Sequence, residues 1–409
     1  MDPIIEYIAR FYLDSPDFNG CPQGQLFETF PNVTRSQIGA WIESGDLELV
    51  TGEMDLNPHI RRFPSWPIER QIAELGNAGC MYPTKSTLAQ VVRETDYVDR
   101  PYTRALALGE HHLAHRSFEL SVLEMYRNDP RYSYDCDDTH GSIVVTDEHN
   151  ESTDMRESEK VYLQTFGFSY NERFDRAVAS FVTYLSRLTP QHQQLWHAKD
   201  LGDGYHLHPD FITTQIVGDW PERLPIFQAL PMEMQVINAM AEAMGRPPFF
   251  RETVRPKKLS FLLRPTSNEL HEFVHLLDKL LGDNINKAFF LNDIPLEDER
   301  KRKDGKIVVT PKGTIRLLDE WLRSRFRPEN PESMNGAIST LKRIRKLRQN
   351  PAHSISKDVF DQKYFHEQRA LAISAYVAIR TIRLIFANHP SARNVHVHPM
   401  LFDGKISDF

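Results

Sequence analysis

The stretch Leu371–Ala387, LAISAYVAIRTIRLIFA, decides the fold of the C-terminal part of the chain. It is apolar around nearly its whole circumference, which is typical of a helix buried on all sides rather than of a surface helix. The helix that contains it is predicted to run from about Asp361 to Asn388, where His389-Pro390 ends it. We therefore expect this helix to form the buried centre of a helical bundle.

Three further helices are predicted around this centre. Thr266 and Glu269 stand at the spacing of a capping box, which stabilises the start of a helix. Apolar residues at helical spacing support the first predicted helix, Asn268–Leu281. The other two are Thr314–Phe326 and a helix that Asn330-Pro331 begins and that runs to about Arg348. Between the first two, a charged insertion over Glu297–Lys306 leads into a predicted strand, Lys306–Thr310.

A basic stretch, Leu341–Ile355 or LKRIRKLRQNPAHSI, lies shortly before the buried helix. Its helix is predicted to stop at Asn350-Pro351, and four residues separate Arg348 from His353. Arginine binds phosphate through two N–H groups, and histidine titrates near neutral pH, so this pair is a candidate for catalysis on a phosphodiester. The predicted contacts to the flanking nucleic-acid backbone are Lys342, Arg343, Arg345, Lys346, Gln349 and Asn350.

The same Arg-x4-His string occurs three times in the chain, at Arg187–His192, Arg348–His353 and Arg393–His398. Three occurrences are close to chance expectation, so the string alone decides nothing. An arginine in the last turn of a helix and a proline just after it also have purely structural reasons. Position favours Arg348–His353, because only this pair follows a basic helix and precedes a long apolar one.

The two parts of the chain carry charge of opposite sign. Residues 251–409 contain 29 Lys and Arg and 19 Asp and Glu, a balance of +10, out of 49 and 56 in the whole chain. Residues 1–250 therefore contain 20 bases and 37 acids, a balance of −17. The basic part is a candidate binder of polyanions, and opposite charges would also favour docking of the two parts on each other.

With a basic third helix that ends in Arg-x4-His before a long apolar fourth helix, the C-terminal third resembles the HEPN superfamily of helical bundles. In that family an Arg-x4–6-His motif marks metal-independent RNases, many of them toxins or anti-phage effectors. The resemblance implies a homodimer in which two motifs meet, with Arg348 and His353 as catalytic residues and no metal or other cofactor. Gln349 departs from the Asn, Asp or His that often follows the arginine, and Ile355 stands where a related subfamily has tyrosine.

Residues 1–66 are predicted to form a separate module of three helices and two strands. The predicted elements are helices Ile4–Leu13, Gln25–Phe30 and Arg35–Ser44 and strands Leu47–Val50 and His59–Phe63. Their order resembles a winged helix, whose third helix enters a DNA groove. Four arginines and ten acidic residues give residues 1–64 a balance of −6, which repels phosphate. We therefore favour a protein partner for this module over DNA.

Residues 67–250 are predicted to form an α-rich middle domain. Tyr102–Arg127 and Phe174–Leu188 read as helices, and Pro190 stands at the first position of a helix to Ala198. His111 and His115 would share one helix face, and a set of metal ligands could be assembled from His111, His115, Glu119, Cys136, Asp138 and His140. Since this spacing matches no zinc motif, we expect histidines that pack and hydrogen-bond, and a metal-dependent enzyme is the weaker alternative.

Together these patterns predict a mainly α protein with a winged-helix-like module (1–66), an α-rich middle domain (67–250) and a HEPN-like four-helix bundle (251–409). The chain has three cysteines that are far apart in sequence, Cys21, Cys80 and Cys136, which favours a cytoplasmic protein. It has no apolar run of ~18 residues, so we expect no membrane span. The predicted function is a metal-independent endoribonuclease acting on RNA. The alternative is a non-catalytic regulatory protein that binds nucleic acid or nucleotide through the module and the basic bundle.

Overall fold

The computed structural model describes residues 1–52, 57–62, 64–137, 139–151, 155–301, 307–349 and 357–407. The chain divides into two compact units, one of residues 1–135 and 140–208 and the other of residues 136–139 and 209–409. About 50% of the structure is helical and 16% is strand, arranged in several antiparallel sheets. The protein is therefore mixed α/β, and the predicted mainly α fold of winged-helix-like module, α-rich middle region and HEPN-like four-helix bundle is wrong.

The first unit begins with helices packed on a small sheet. Its elements are α1 (Pro3–Asp14), β1 (Cys21–Pro22), α2 (Gln23–Thr29), α3 (Arg35–Glu43), β2 (Leu47–Thr51), α4 (Ile68–Ala73), β3 (Gly79–Pro83) and α5 (Lys85–Val91). The strand order is β1-β3-β2. Thr34 begins α3 with a capping box, since its hydroxyl accepts from the Gln37 amide at 3.3 Å and the Gln37 side chain accepts from the Thr34 amide at 2.9 Å.

The predicted strand His59–Phe63 is wrong in its described part. Residues 57–62 form turns and irregular backbone, and Phe63 lies outside the described residues. Strand β2 pairs with β3 instead, with Leu49 opposite Met81. Most of β3 is buried, so this strand supplies the apolar surface that the sheet needs. The sequence prediction ended the module at residue 66 and therefore did not include β3.

A six-stranded sheet forms the rest of the first unit. Its strands are β4 (His115–Phe118), β5 (Tyr132–Cys136), β6 (His140–Val145), β7 (Tyr162–Tyr170), β8 (Arg176–Phe181) and β9 (His206–Leu207), in the order β4-β8-β7-β6-β5 with β9 paired to β7. The accompanying helices are α6 (Pro101–Ala107), α7 (Glu124–Asn128), α8 (Asp147–Asn150), α9 (Val182–Ser186) and α10 (Pro190–His197).

Two of the helices predicted for this region are wrong. The first, Tyr102–Arg127, is helical only at its two ends, in α6 as far as Ala107 and again from Leu120 in a 3₁₀ turn that leads into α7. Between them Gly109 adopts a positive φ of 83° and the chain forms β4. The second, Phe174–Leu188, contains β8 followed by the short α9. Every residue of 177–181 is buried, so both faces of β8 are covered, and such an apolar run cannot be distinguished from a buried helix by spacing alone.

A buried histidine joins the loop before β4 to the loop after α1. His112 is 2% exposed, and its Nδ1 accepts from the Arg61 amide at 3.0 Å. Its Nε2 donates to the carbonyl oxygens of Phe18 at 3.0 Å and Asp17 at 3.1 Å. Burial, the largest influence, lowers the pKa of His112 to about 4, so the ring is neutral at neutral pH.

The free energy of unfolding is expected to fall as the pH is lowered from about 6.5 to about 4, because His112 takes up its proton readily only after unfolding. Its pKa is about 4 in the folded chain and ~6.5 in an unfolded one, so the unfolded state binds more protons between these values. The contribution of His112 over this range is roughly 3 kcal/mol, at ~1.4 kcal/mol per pKa unit.

Urea unfolding at several pH values between about 5 and about 7, followed by tryptophan fluorescence, measures this dependence. The variant His112→Gln carries no titrating ring, so its stability should depend less on pH over the same range. Equal dependence in the two proteins would contradict the assignment.

The second unit is mainly helical in its described part. Its helices are α11 (Pro209–Ile212), α12 (Ile226–Ala243), α13 (Ser267–Asp278), α14 (Thr314–Arg325), α15 (Glu332–Gln349), α16 (Lys363–Ala387) and α17 (Pro399–Asp403). Its strands are β10 (Leu224–Pro225), parallel to β13 (Ile406–Ser407), and β11 (Glu297–Lys301), antiparallel to β12 (Ile307–Pro311). The predicted bounds of α13 to α16 are confirmed to within a few residues.

Helix α16 packs between α12 and α15. Leu371, Ile379 and Phe386 are buried, whereas Val377 and Leu384 are exposed, so α16 is not buried on all sides as its composition suggests. Within the described residues it is the one helix whose length and composition would suit a membrane span, with a mean hydropathy of 1.7 over a window that is half buried. The predicted lack of a membrane span stays a prediction.

A buried ion pair links α12 to α16. The side chain of Glu233 is 0% exposed and that of Arg383 is 2% exposed. Arg383 Nε donates to Glu233 Oε2 at 2.5 Å, and Arg383 Nη2 donates to Glu233 Oε1 and to the carbonyl oxygen of Leu401, both at 3.3 Å. The Tyr376 hydroxyl also donates to Glu233 at 3.4 Å. These contacts supply the partners without which a buried charge is costly.

Candidate functional site

The described part of the basic stretch, residues 341–349, forms the last turns of α15, as predicted. Met334, Ile338, Leu341 and Ile344 are buried on one face of α15, and this apolar stripe fixes the orientation of the helix. The cationic residues of its last turns therefore lie beside or opposite that stripe. The next residues, 350–356, lie outside the described residues, and the predicted site residues Asn350 and His353 are among them.

Arg345 and Arg348 are held together by two aspartates from the end of α13. Arg348 Nη1 donates to Asp278 Oδ2 at 2.7 Å and to Asp283 Oδ2 at 2.5 Å. Arg345 Nε donates to Asp278 Oδ1 at 2.9 Å, and Arg345 Nη2 donates to Asp283 Oδ1 at 2.7 Å. We call these four side chains the arginine–aspartate network. Each aspartate bridges both arginines, which fixes the two guanidinium groups relative to each other.

A wide helical turn brings the second aspartate into this network. Helix α13 ends at Asp278, and residues 279–283 form a single π-helical turn. Such turns are uncommon and occur often at functional sites. A Cβ atom at Gly282 would lie 2.7 Å from both Arg345 Nη2 and Asp278 Oδ1, so only glycine fits there without displacing the network.

The network is charged and partly open to solvent. Asp278 is 1% exposed at its side chain, against 27% for Arg348 and 39% for Asp283. Burial alone would raise the pKa of Asp283, but the hydrogen bond from Arg348 and the nearby positive charges outweigh it and lower that pKa. Hydrogen bonds to Asp283 and Asp278 in turn raise the pKa of Arg348. Asp283 and Arg348 therefore stay ionised, and the network sets two arginines against two aspartates.

Arg348 keeps hydrogen-bonding capacity for a ligand. Both of its contacts to the aspartates use Nη1, and toward the residues that the structure describes its Nε and Nη2 donate no hydrogen bond. A phosphate group accepts well from such a pair of N–H donors. The arrangement can therefore bind one phosphate through a guanidinium whose position is already set.

Of the other residues predicted to contact nucleic acid, one has an ion-pair partner and others are exposed without one among the described residues. Lys342 Nζ lies 2.6 Å from Asp319 Oδ2 on α14, away from the network. Arg343, Lys346 and Gln349 are exposed, and the first two form no ion pair with any described residue. The structure thus brings Arg345 and Arg348 together and leaves Arg343 and Lys346 available to a polyanion.

The other two Arg-x4-His strings have structural roles. Arg187 Nε donates to Asp17 Oδ1 at 2.9 Å, whereas His192 is 3% exposed and lies 2.7 Å from the Tyr126 hydroxyl. Burial lowers the pKa of His192, so this ring is a neutral part of the core. In the third string, His398 Nδ1 accepts from the amide of Met400 at 3.3 Å and thereby caps α17.

The helix face that His111 and His115 were predicted to share is wrong. His115 is the first residue of β4, and its Nε2 lies 3.3 Å from the carbonyl oxygen of Tyr205. Asp138 lies outside the described residues. Among the residues that are described, no group of three histidine, cysteine, aspartate or glutamate side chains is placed to hold a metal ion.

The two aspartates of the network are absent from the sequence-based prediction. One signal could have found Asp278, because it lies in the apolar stripe of its helix beside Val274, Leu277 and Leu281. A buried carboxylate needs a cationic partner, and the basic stretch is the obvious source of one. Asp283 carries no comparable signal, since it stands beyond the regular part of the helix.

The chain matches no protein-family model, no curated protein and no solved structure with which it was compared. Its candidate site is therefore defined by its own residues, and by the arginine–aspartate network above all.

Proposed function

We propose that the chain is a metal-independent endoribonuclease in which Arg348 binds the scissile phosphate and His353 transfers protons. The supporting observation is that two aspartates orient Arg348 at the end of a basic helix and leave its Nε and Nη2 available to a ligand. A guanidinium held in this way loses little freedom when it binds phosphate. In this proposal Asp278 and Asp283 are positioning residues that do not touch the substrate.

RNA provides the nucleophile for this reaction. The 2′-oxygen attacks the adjacent phosphorus while one imidazole removes its proton, and the bond from phosphorus to the 5′-oxygen breaks. A second, protonated imidazole gives its proton to that 5′-oxygen, which leaves a 2′,3′-cyclic phosphate and a 5′-hydroxyl. Since each chain has one His353, we propose a homodimer in which the second chain supplies the other ring. DNA lacks the 2′-hydroxyl and is not a substrate.

Labelled single-stranded RNA is expected to be shortened by the purified protein, while DNA of the same sequence stays intact. Addition of EDTA should leave the rate unchanged, because no step requires a metal ion. The new 3′ ends should carry a cyclic phosphate, which mass spectrometry identifies. Cleavage of DNA at the same rate as RNA, or loss of RNA cleavage in EDTA, would contradict the proposal.

A second candidate function is the binding of nucleic acid or nucleotide without cleavage. The observation in its favour is the charge balance of the arginine–aspartate network, in which each arginine already has carboxylate partners. Binding would then depend mostly on Arg343 and Lys346. RNA that is retained by the protein in a gel-shift assay but stays intact over long incubation would favour this function over the first.

A further inference from the structure

The antiparallel hairpin of the second unit exposes apolar side chains. It consists of β11 and β12, which pair only with each other among the described strands. Every residue of β12 is exposed, and β12 is the one described strand for which this holds. Ile307, Val308 and Val309 are 62%, 39% and 49% exposed. A two-stranded hairpin alone is at best marginally stable in water, so this hairpin lacks part of its packing.

The two edges of the hairpin differ in charge. Each of the five residues of β11, EDERK, is of a charged type, whereas β12, IVVTP, has no charged residue. Charged side chains at a sheet edge discourage pairing with another chain, and an uncharged edge of β-branched residues favours it. Asp298 of β11 is also engaged within the chain, since it accepts from Arg316 Nη2 at 3.0 Å. The edge of β11 is therefore protected, and the edge of β12 is open.

The backbone of β12 determines which hydrogen-bonding groups face this open edge. The Lys312 amide donates to the carbonyl oxygen of Leu296 at 2.9 Å, so Lys312 directs its backbone groups toward β11. Because this direction alternates along a strand, every second residue before Lys312 also faces β11. The residues that face the open edge are then Ile307, Val309 and Pro311. Pro311 has no N–H to donate, and an outward position on an edge strand is where a sheet tolerates proline.

A second copy of β12 matches this edge in an antiparallel register centred on Val308. Val308 then lies opposite Val308 of the second copy, and Ile307 and Val309 exchange backbone hydrogen bonds with Val309 and Ile307 of that copy. Every opposed pair is β-branched and uncharged, which is favourable across strands. A register centred on Val309 would set Pro311 opposite Ile307, whose carbonyl oxygen would lack a donor.

We propose that β12 is a dimerisation strand, which pairs with β12 of a second copy of this chain to form one continuous antiparallel sheet. A two-fold axis requires a surface that is complementary to itself, and the register centred on Val308 meets this requirement. A charged strand would place like charges opposite each other across that axis, whereas β12 has none to oppose. The inference does not rest on the proposed endoribonuclease, although that reaction requires a homodimer.

Sedimentation equilibrium of the full chain, over a roughly hundredfold range of concentration, tests the proposal because the dimer fraction follows mass action. The wild type is expected to dimerise, and Val309→Lys should weaken dimerisation at least about tenfold, since it places a charge at the open edge. The matched control is Val359→Lys, because Val359 is also 49% exposed and lies outside the hairpin. A monomeric wild type, or equal loss in the two variants, would overturn the proposal.

A disulfide cross-link tests the register. Val308→Cys places two thiols at a non-hydrogen-bonded position of the new ladder, where Cα atoms lie about 4.5 Å apart, within reach of a disulfide. Mild oxidation should therefore link two chains of this variant, which non-reducing gel electrophoresis detects. The natural cysteines Cys21, Cys80 and Cys136 are buried, so the wild type should stay unlinked. A stronger link in Val309→Cys would overturn the register, and no link in either variant would overturn the strand pairing.

Rates of RNA cleavage by the same variants separate this inference from the proposed reaction. A Val309→Lys chain that is monomeric and inactive would support both. A Val309→Lys chain that is monomeric but cleaves RNA at the wild-type rate would support the dimerisation strand and contradict a reaction that needs two histidines. A wild type that cleaves RNA as a monomer would overturn the dimerisation strand.

Discussion

Replacement of Arg348 by alanine is expected to reduce RNA cleavage by at least about 100-fold, because it removes the cation that binds the scissile phosphate. His353→Ala should reduce it by about 100-fold or more through the loss of proton transfer. Lysine at position 348 cannot place two N–H donors in one plane, so Arg348→Lys should also be poorly active. The rate of cleavage of labelled RNA measures the effect of each of the three substitutions. If expression of the wild-type protein arrests growth, expression of the inactive variants should not.

The matched control for these variants is Arg187→Ala. Arg187 belongs to an equivalent Arg-x4-His string and is also paired with an aspartate, but it lies in the first unit beside a buried histidine. The Arg187→Ala variant should cleave RNA at the wild-type rate. Because Arg348→Ala also leaves Asp278 with one partner fewer, thermal melting must show that the variant is folded. Wild-type rates in both Arg348→Ala and His353→Ala would place the active site elsewhere.

Glu233→Ala is expected to lower the free energy of unfolding by about 3–5 kcal/mol, because it leaves Arg383 buried without its carboxylate. Both side chains are almost fully inaccessible, so water cannot replace the lost partner. The same change also removes an acceptor from the Tyr376 hydroxyl. Chemical denaturation followed by circular dichroism measures the loss.

An exposed ion pair provides the comparison for this variant. Glu6 and Arg10 are 45% and 66% exposed on α1, so Glu6→Ala should cost at most about 1 kcal/mol. The double variant Glu233→Leu with Arg383→Leu should recover much of the loss, since apolar residues need no partner. A small effect of Glu233→Ala, similar to that of Glu6→Ala, would contradict the importance of the buried pair.

The helices of the second unit could be predicted because their signals are local. Thr266 caps α13 through the Glu269 amide as expected, although the Glu269 side chain accepts from Leu263 rather than completing the capping box. The strands of the first unit could not be predicted in this way. Residues 177–181 form a buried strand only because β4 and β7 lie on either side of it, and both are distant in sequence.

The candidate site could be predicted from the sequence only in part, because Arg348 is indicated by residues near it and its aspartate partners are not. The position of Arg348 in the last turn of a basic helix follows from the sequence near it. Its partners Asp278 and Asp283 lie 70 and 65 residues earlier in the chain, and the packing of α13 against α15 brings them close. Local sequence indicates which residue could bind phosphate, whereas tertiary packing decides how many of its N–H groups remain available.

The arginine–aspartate network has a consequence for how salt affects binding. A cation that contacts a phosphate releases a condensed counterion from the nucleic acid, and the logarithm of the binding constant falls by ~0.7 per contact for each tenfold rise in salt on single strands. If all five cations of the basic stretch contacted phosphates, the logarithm of the binding constant plotted against the logarithm of the salt concentration would have a slope of about −3.5. Lys342 and Arg345 already have carboxylate partners, whereas Arg348 keeps two N–H groups for a phosphate. About three cations therefore remain, and the slope falls to about −2.1. Binding of RNA would then weaken less steeply with added salt than binding by five unpaired cations would.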